Sequence, residues 1–427
     1  MFSGGEDVGA LVLDCGSSLT KLGYAGEHIP RAVYPSAVSM NQDMDIDGGE
    51  GKGKNSKYAL DQALYYGKYN QELIQPVERG ITNDFDALEA MIQYGIEDRL
   101  GVQASLHPLL VSESIDNPSE NREKLCQMLF ETMECPAIFL ARDAMLSALA
   151  MGRTTALVVE CGAGSTRVVP VHDGYALSQS SLRTKLGGNE LDKILANIYE
   201  KGLGGFSKPV EVVPRYKVKR SYTMEVQRSF EIMELESVNE SYDAFMKGEV
   251  LRDLKETVCT VSDVPFVAEE NLNIPTFPYQ LPDGNTLSVG PPRFLIPEML
   301  FTPSADFASL SEEDYDGYSF PGLATMIDEC IGKCDVDLRK DLFANICLVG
   351  GGSKMPGLSD RLQSDLETAA GSTFKVKILS SSNTFENQYS AWVGGSILAS
   401  IGTFQQMWFS KSEYEEDGIR LLGSRCP

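Results

Sequence analysis

The chain has 427 residues, 42% of them apolar, and a formal net charge of −24. That length and apolar content suffice for a sizeable core in two or more lobes, whereas the charge argues against direct, sequence-specific DNA binding, which needs clustered Lys and Arg on the phosphates. No run qualifies as a membrane span, because the most apolar one, YSAWVGGSILASIGTFQQMWF, is broken by Gly394, Gly395, Gln405 and Gln406.

The N-terminal MFSGGEDVGA lacks the basic start and apolar stretch of a secretion signal. The next stretch, LVLDCGSSLTKLGYAGEHIP, runs the apolar Leu11-Val12-Leu13 into Asp14, then into Gly16 and Ser17, and returns as a second strand-like run. A carboxylate at the end of a strand is costly to desolvate unless a cation or hydrogen-bond donor meets it. Small residues beside it let a ligand reach the backbone. A tight hairpin turn accounts for one such pattern equally well. Asn41 to Lys57, NQDMDIDGGEGKGKNSK, is almost free of apolar residues and reads as a mobile excursion. In NPSENREKLCQMLFETM, Asn117-Pro118 can start a helix whose Leu125, Met128, Leu129 and Met133 recur at helical spacing, which is the pattern of a core-facing helix.

The first pattern then returns. In LVVECGAGSTRVVPVHDG, Leu157-Val158-Val159 leads into Glu160, Gly162 and Gly164. Two such hairpins in one chain indicate duplicated α/β lobes facing a shared ligand, their backbone N–H groups clamping one phosphate chain from both sides. Asp14 and Glu160 would meet across the cleft and hold a hydrated divalent cation, Mg²⁺ or Ca²⁺. Lys201 to Arg220 is a second loop-like stretch, whose basic run Arg215 to Arg220 reads as a solvated loop or as a nuclear-import or contact patch. A third glycine signal, NICLVGGGSKMPGLSDRLQSDLE, is a strand at Ile346 to Val349, three glycines and a helix from about Pro356-Gly357, which suits an adenosine site. The nine cysteines are scattered and the three histidines, His28, His107 and His172, are dispersed. Neither pattern makes a zinc site, and ordinary reduced thiols are expected.

LVLDCGSSLTKLGYAGEHIPRAVYPS resembles the first phosphate loop of the actin family, GRTTALVVECGAGSTRVVPVHDGYAL the second, VGGGSKMPGLSDRL the adenosine loop, and SAWVGGSILASIGTFQQMWFSKSEYEE the C-terminal helices. The resemblance spans nearly the whole chain. It implies an α/β, duplicated RNase-H-like fold of the actin, Hsp70 and sugar-kinase kind, with two lobes around a central nucleotide cleft that takes ATP and Mg²⁺. It implies subdomain 1 at 1–35, 76–150 and 390–427, subdomain 2 at 36–75, subdomain 3 at 151–186 and 309–389, and subdomain 4 at 187–308. By the same resemblance Ser17, Ser18 and Lys21 lie at the phosphates with Gly162, Ala163 and Gly164 opposite, and Gly188, Lys255, Glu256, Gly350, Gly351, Ser353 and Lys354 surround the nucleoside.

Four positions depart from filament-forming actin. Glu160 stands where the family has an aspartate that holds water around the metal, and Ala163 replaces a second acidic residue. Asp143 and Arg167 stand where actin has the glutamine and histidine that position the attacking water. Phosphoryl transfer depends on such a group, so these departures imply nucleotide binding with at most slow hydrolysis. The charges among the glycines at 41–57 further imply that the chain does not form filaments alone.

ASLHPLLVSES, PVHDGY, YQLPDGNTLSVGPPRFLIPEMLFTPS and EYEEDG are similar to a nuclear branch of the actin-related proteins. Members of that branch are structural subunits of chromatin-remodelling and histone-acetyltransferase complexes. The similarity implies a nuclear protein that clasps a long helix of the remodeller ATPase beside monomeric actin, with other complex subunits as further contacts, histones among the candidates, and no membrane partner. Tyr175, Met407 and Trp408 are candidates for lining the groove that takes the helix. The alternatives are a divergent cytoplasmic actin relative and, remotely, a small-metabolite kinase using Asp143 as general base.

Overall fold

Strand Leu11–Cys15 is buried along its apolar half because it runs through the middle of a sheet, antiparallel to Leu19–Tyr24 and parallel to Leu109–Glu113. This computed structural model describes residues 9–40, 58–66, 69–202, 209–221, 229–267, 269–271, 273–303, 320–371, 374–381 and 383–427. The first six-stranded sheet has the order Phe409–Ser410, Ala137–Arg142, Leu109–Glu113, Leu11–Cys15, Leu19–Tyr24, Ala32–Pro35. The second repeats the scheme. Ala156–Cys161 pairs antiparallel with Thr166–His172 on one side and parallel with Ile346–Val349 on the other, and Ile378–Leu379 continues the parallel side.

Each sheet carries its own apolar core, one around Leu11, Ile92, Phe130 and Trp392, the other around Leu157, Leu254, Ile327 and Leu362. Two helices, Asp143–Ala150 and Ser390–Ser400, cross at the junction of the lobes. A Cβ on Gly394 would stand 1.8 Å from the Leu146 carbonyl oxygen, so only glycine allows this approach. Beside it Trp392 is wholly buried and its Nε1 donates to the Val12 carbonyl at 2.9 Å.

A small outer sheet (Tyr58–Leu60, Val38–Met40, Glu72–Ile74) rests on the N-terminal half of helix Glu240–Val258. Tyr242 is fully buried there, its hydroxyl donating to the Leu64 carbonyl at 2.8 Å, while the Leu73 amide donates to Ser241 Oγ at 2.8 Å. The segment expected to be mobile, 41–57, lies outside the described residues.

The basic run is not a free loop. Val218–Ser221 forms an antiparallel hairpin with Ser229–Ile232, Lys217 pairs with Asp243 at 2.8 Å, and the Arg220 guanidinium lies over Phe230. Arg215 and Arg220 line a second cavity of about 380 Å³ together with Tyr65 and Tyr279. Sequence proximity groups these cations, but Lys217 finds its carboxylate on helix Glu240–Val258 and Arg220 packs on the neighbouring strand. All nine cysteines are free thiols. Among the described residues no helix is long and apolar enough to cross a membrane.

Candidate functional site

Between the lobes lies a cavity of about 470 Å³, lined by both hairpins, by the glycine run and by the C-terminal half of helix Glu240–Val258. The register of the first hairpin sets Asp14 directly opposite Lys21. Lys21 Nζ donates to Asp14 Oδ2 at 2.7 Å, and Ser112 Oγ donates to the other oxygen. Burial alone would raise the Asp14 carboxyl, but the Lys21 charge and these hydrogen bonds hold it below the usual carboxylate range. The register of the second hairpin sets Glu160 opposite Arg167 in the same way. Arg167 Nη2 lies 2.5 Å from Glu160 and 2.7 Å from Asp143, and Nη1 donates to Ser114.

One guanidinium therefore serves two carboxylates. Burial pushes the Asp143 carboxyl up to about 7, and the neighbouring Glu160 charge adds to the effect against the pull of Arg167. A carboxyl raised in the folded state binds a proton that the unfolded chain has already released, so this group costs stability progressively as pH climbs from about 4 to 7. The amide introduced by Asp143→Asn cannot ionise. In paired thermal melts, D143N is expected to gain on the parent as pH rises through this window, by up to about 1.4 kcal/mol per pH unit. A difference between the two proteins that does not change with pH counts against the assignment.

The hairpin tips nearly touch. A Cβ on Gly164 would lie 2.6 Å from Ser17 Oγ and 2.8 Å from Arg79 Cα. Arg79 and Gly80, both at positive φ, form a third tight turn between Val77–Glu78 and Ile81–Thr82, and the Gly80 amide donates to Ser17 Oγ at 3.0 Å. Ser18, Gly162 and Ala163 line the cavity. In the glycine run, Gly350 and Gly352 press against Cys161, whereas Gly351 faces open space. Ser353 does not line the cavity; its Oγ donates to the Gly350 carbonyl at 2.7 Å. Lys354 and Glu256 do line it, and burial lowers the Lys354 amine. Lys354 Nζ donates to Gln388 and sits 5.4 Å from the centre of the Phe385 ring. Helix Gly188–Glu200 docks its first turn on the second hairpin, with the Gly188 amide donating to Gly162 and the Asn189 amide to Ala163. Lys255 Nζ donates to the Gly188 carbonyl at 2.6 Å and pairs with Asp192 at 2.7 Å.

Ser112, Ser114, Asn189, Gln388 and the Arg79-Gly80 turn are also brought into or against the cleft. Of these only the turn carried a local signal, a glycine between two short strand-like runs.

The glycine-lined tips and Lys21 fit a phosphate chain, and the open Gly351 fits a flat ring beyond it. The carboxylates fit a divalent cation poorly. Asp14 and Glu160 are each matched by a cation one strand away, and no group of three His, Cys, Asp or Glu side chains suited to a metal exists among the described residues.

Two repeated sheets with a glycine-lined cavity at their seam define the two-lobed, duplicated RNase-H-like architecture shared by actin, Hsp70 and sugar kinases. The chain belongs to the actin family, whose sequence pattern matches residues 5–427. It is 38% identical to actin-related protein 4 of Arabidopsis thaliana, covering 99% of this chain and all of that protein. It is also similar to the proteins of that name from Yarrowia lipolytica, at 33% over 97% of this chain and 95% of theirs, and from Schizosaccharomyces pombe, at 32% over 100% and 99%.

Proposed function

We propose that this actin-related protein binds ATP in the central cleft as a structural ligand, and serves as a non-catalytic subunit of nuclear chromatin-remodelling and histone-acetyltransferase complexes. The observation that carries this reading is Arg167. Its guanidinium holds Glu160 at 2.5 Å and Asp143 at 2.7 Å, so these two positions present a buried, permanently charged fork and a carboxyl bound to it, and no amide or imidazole to orient an attacking water. A small-metabolite kinase would need Asp143 free to face a substrate hydroxyl, whereas here its carboxyl lies 2.7 Å from Arg167.

The relatives named actin-related protein 4 support the nuclear branch, and the acidic surface suits a Lys/Arg-rich helix of a remodeller ATPase, held together with monomeric actin. Tyr175, 66% exposed, and Met407, 47% exposed, are available to line such a groove. Trp408 is not, being 6% exposed and packed edge-on against Phe404.

A tagged chain purified from nuclear extract is expected to bring down actin and a remodeller ATPase, to release ATP on denaturation, and to show no sustained phosphate release. Recovery from cytosol alone without those partners, or turnover at the rate of polymerising actin, overturns the reading.

A further inference from the structure

The two hairpins are copies of one another down to their charges. In each, the carboxylate at the end of the first strand faces a cation seven residues later on the second, Asp14 to Lys21 and Glu160 to Arg167. The antiparallel register fixes both pairs, so they belong to the sheet and not to a chance rotamer. They differ in reach. Lys21 ends in a compact ammonium on a flexible stem, while Arg167 is a planar, permanently charged fork held from three directions by Glu160, Asp143 and Ser114. Only 6% of Arg167 is exposed, and among the described residues nothing accepts from its buried Nε.

We propose that Arg167 takes the electrostatic place of a divalent cation, so that the cleft binds a nucleoside triphosphate without a metal ion held by the protein. The inference rests on the nucleotide reading above and adds to it how the phosphate charge is met. A dication between Asp14 and Glu160 would find Asp14 already paired with Lys21 and Glu160 already held by Arg167, and would sit beside both positive charges in surroundings that screen them far less than water does. Lys21 and Arg167 line the cavity from the two hairpins, so a phosphate chain there would meet a positive charge from each lobe. A nucleotide arriving as its Mg²⁺ complex gains no protein ligand from that ion that it lacks as the free anion.

The test is ATP titration by calorimetry into nucleotide-stripped protein, once with Mg²⁺ and once with excess EDTA. The two dissociation constants are expected to agree within about threefold. Binding that needs Mg²⁺, weakening by more than about tenfold in EDTA, overturns this inference and leaves the nucleotide reading standing. Absence of binding in both conditions overturns both. In Arg167→Gln the two carboxylates lose their partner, so Mg²⁺ is expected to raise both its melting temperature and its affinity for ATP, while the parent responds to neither. An R167Q protein as indifferent to Mg²⁺ as the parent counts against the substitution of one cation for the other. If R167Q fails to fold, the parent titrations decide alone.

Discussion

Gly394→Ala is expected to yield little soluble protein, and whatever folds should be destabilised by about 3 kcal/mol or more. The added methyl would overlap the Leu146 carbonyl oxygen at 1.8 Å and its carbon at 2.4 Å, both of them backbone atoms in the facing helix that no rotamer change can move aside. Relief requires helices Asp143–Ala150 and Ser390–Ser400 to part, and these hold the two lobes together at their base. Gly332→Ala is the control. It lies at the end of helix Leu323–Gly332 with nothing within 4 Å of the new methyl, and should be neutral or slightly stabilising. Denaturant melts of the two variants side by side measure the contrast. Equal stability would mean that the junction is looser than the observed contact.

Arg361→Met should cost about 3–5 kcal/mol, since removing one partner of a buried ion pair strands the other. Arg361 is almost wholly buried on helix Leu358–Ala370 and reaches both oxygens of Glu298 at 3.1 Å, Asp365 at 2.9 Å and the Ser262 carbonyl at 3.0 Å, with its guanidinium 4.6 Å from the Phe301 ring centre. Met preserves most of the stem's packing, so the loss isolates the charge. The Arg361→Met, Glu298→Met double variant is expected to recover most of it, because a buried ion pair is commonly no better than an apolar pair of similar size. A single variant within about 1 kcal/mol of the parent in denaturant melts, or a double variant worse than either single, refutes this account.

Much of the cleft can be read from the sequence because its chemistry is local. An apolar strand, one carboxylate and a run of small residues lie within ten positions of each other, twice, and the glycine run follows a third strand directly. What the sequence conceals is the set of partners. Nothing beside Glu160 in the chain says that Arg167 will face it; only the strand register does. Ser112 and Ser114 reach Asp14 and Arg167 from the end of a strand some hundred residues from one and fifty from the other. The basic run misleads for the same reason, its carboxylate Asp243 standing on a helix that begins twenty residues further on. Trp408 looks like a surface aromatic in a sequence rich in glycine and glutamine, and is core because Phe404 folds back against it.

Helix Glu240–Val258 seats the small outer lobe with its first turns and walls the cavity with its last, where Arg252, Lys255 and Glu256 lie. Widening the cavity on this side therefore moves the helix and the outer lobe together. Parting the outer lobe from this helix would break the Tyr242–Leu64 and Leu73–Ser241 contacts. Were a nucleotide's exchange to require that opening, its residence time would follow the frequency of the opening and not the strength of any single contact in the cleft, and it would turn over on the timescale of the protein's own breathing.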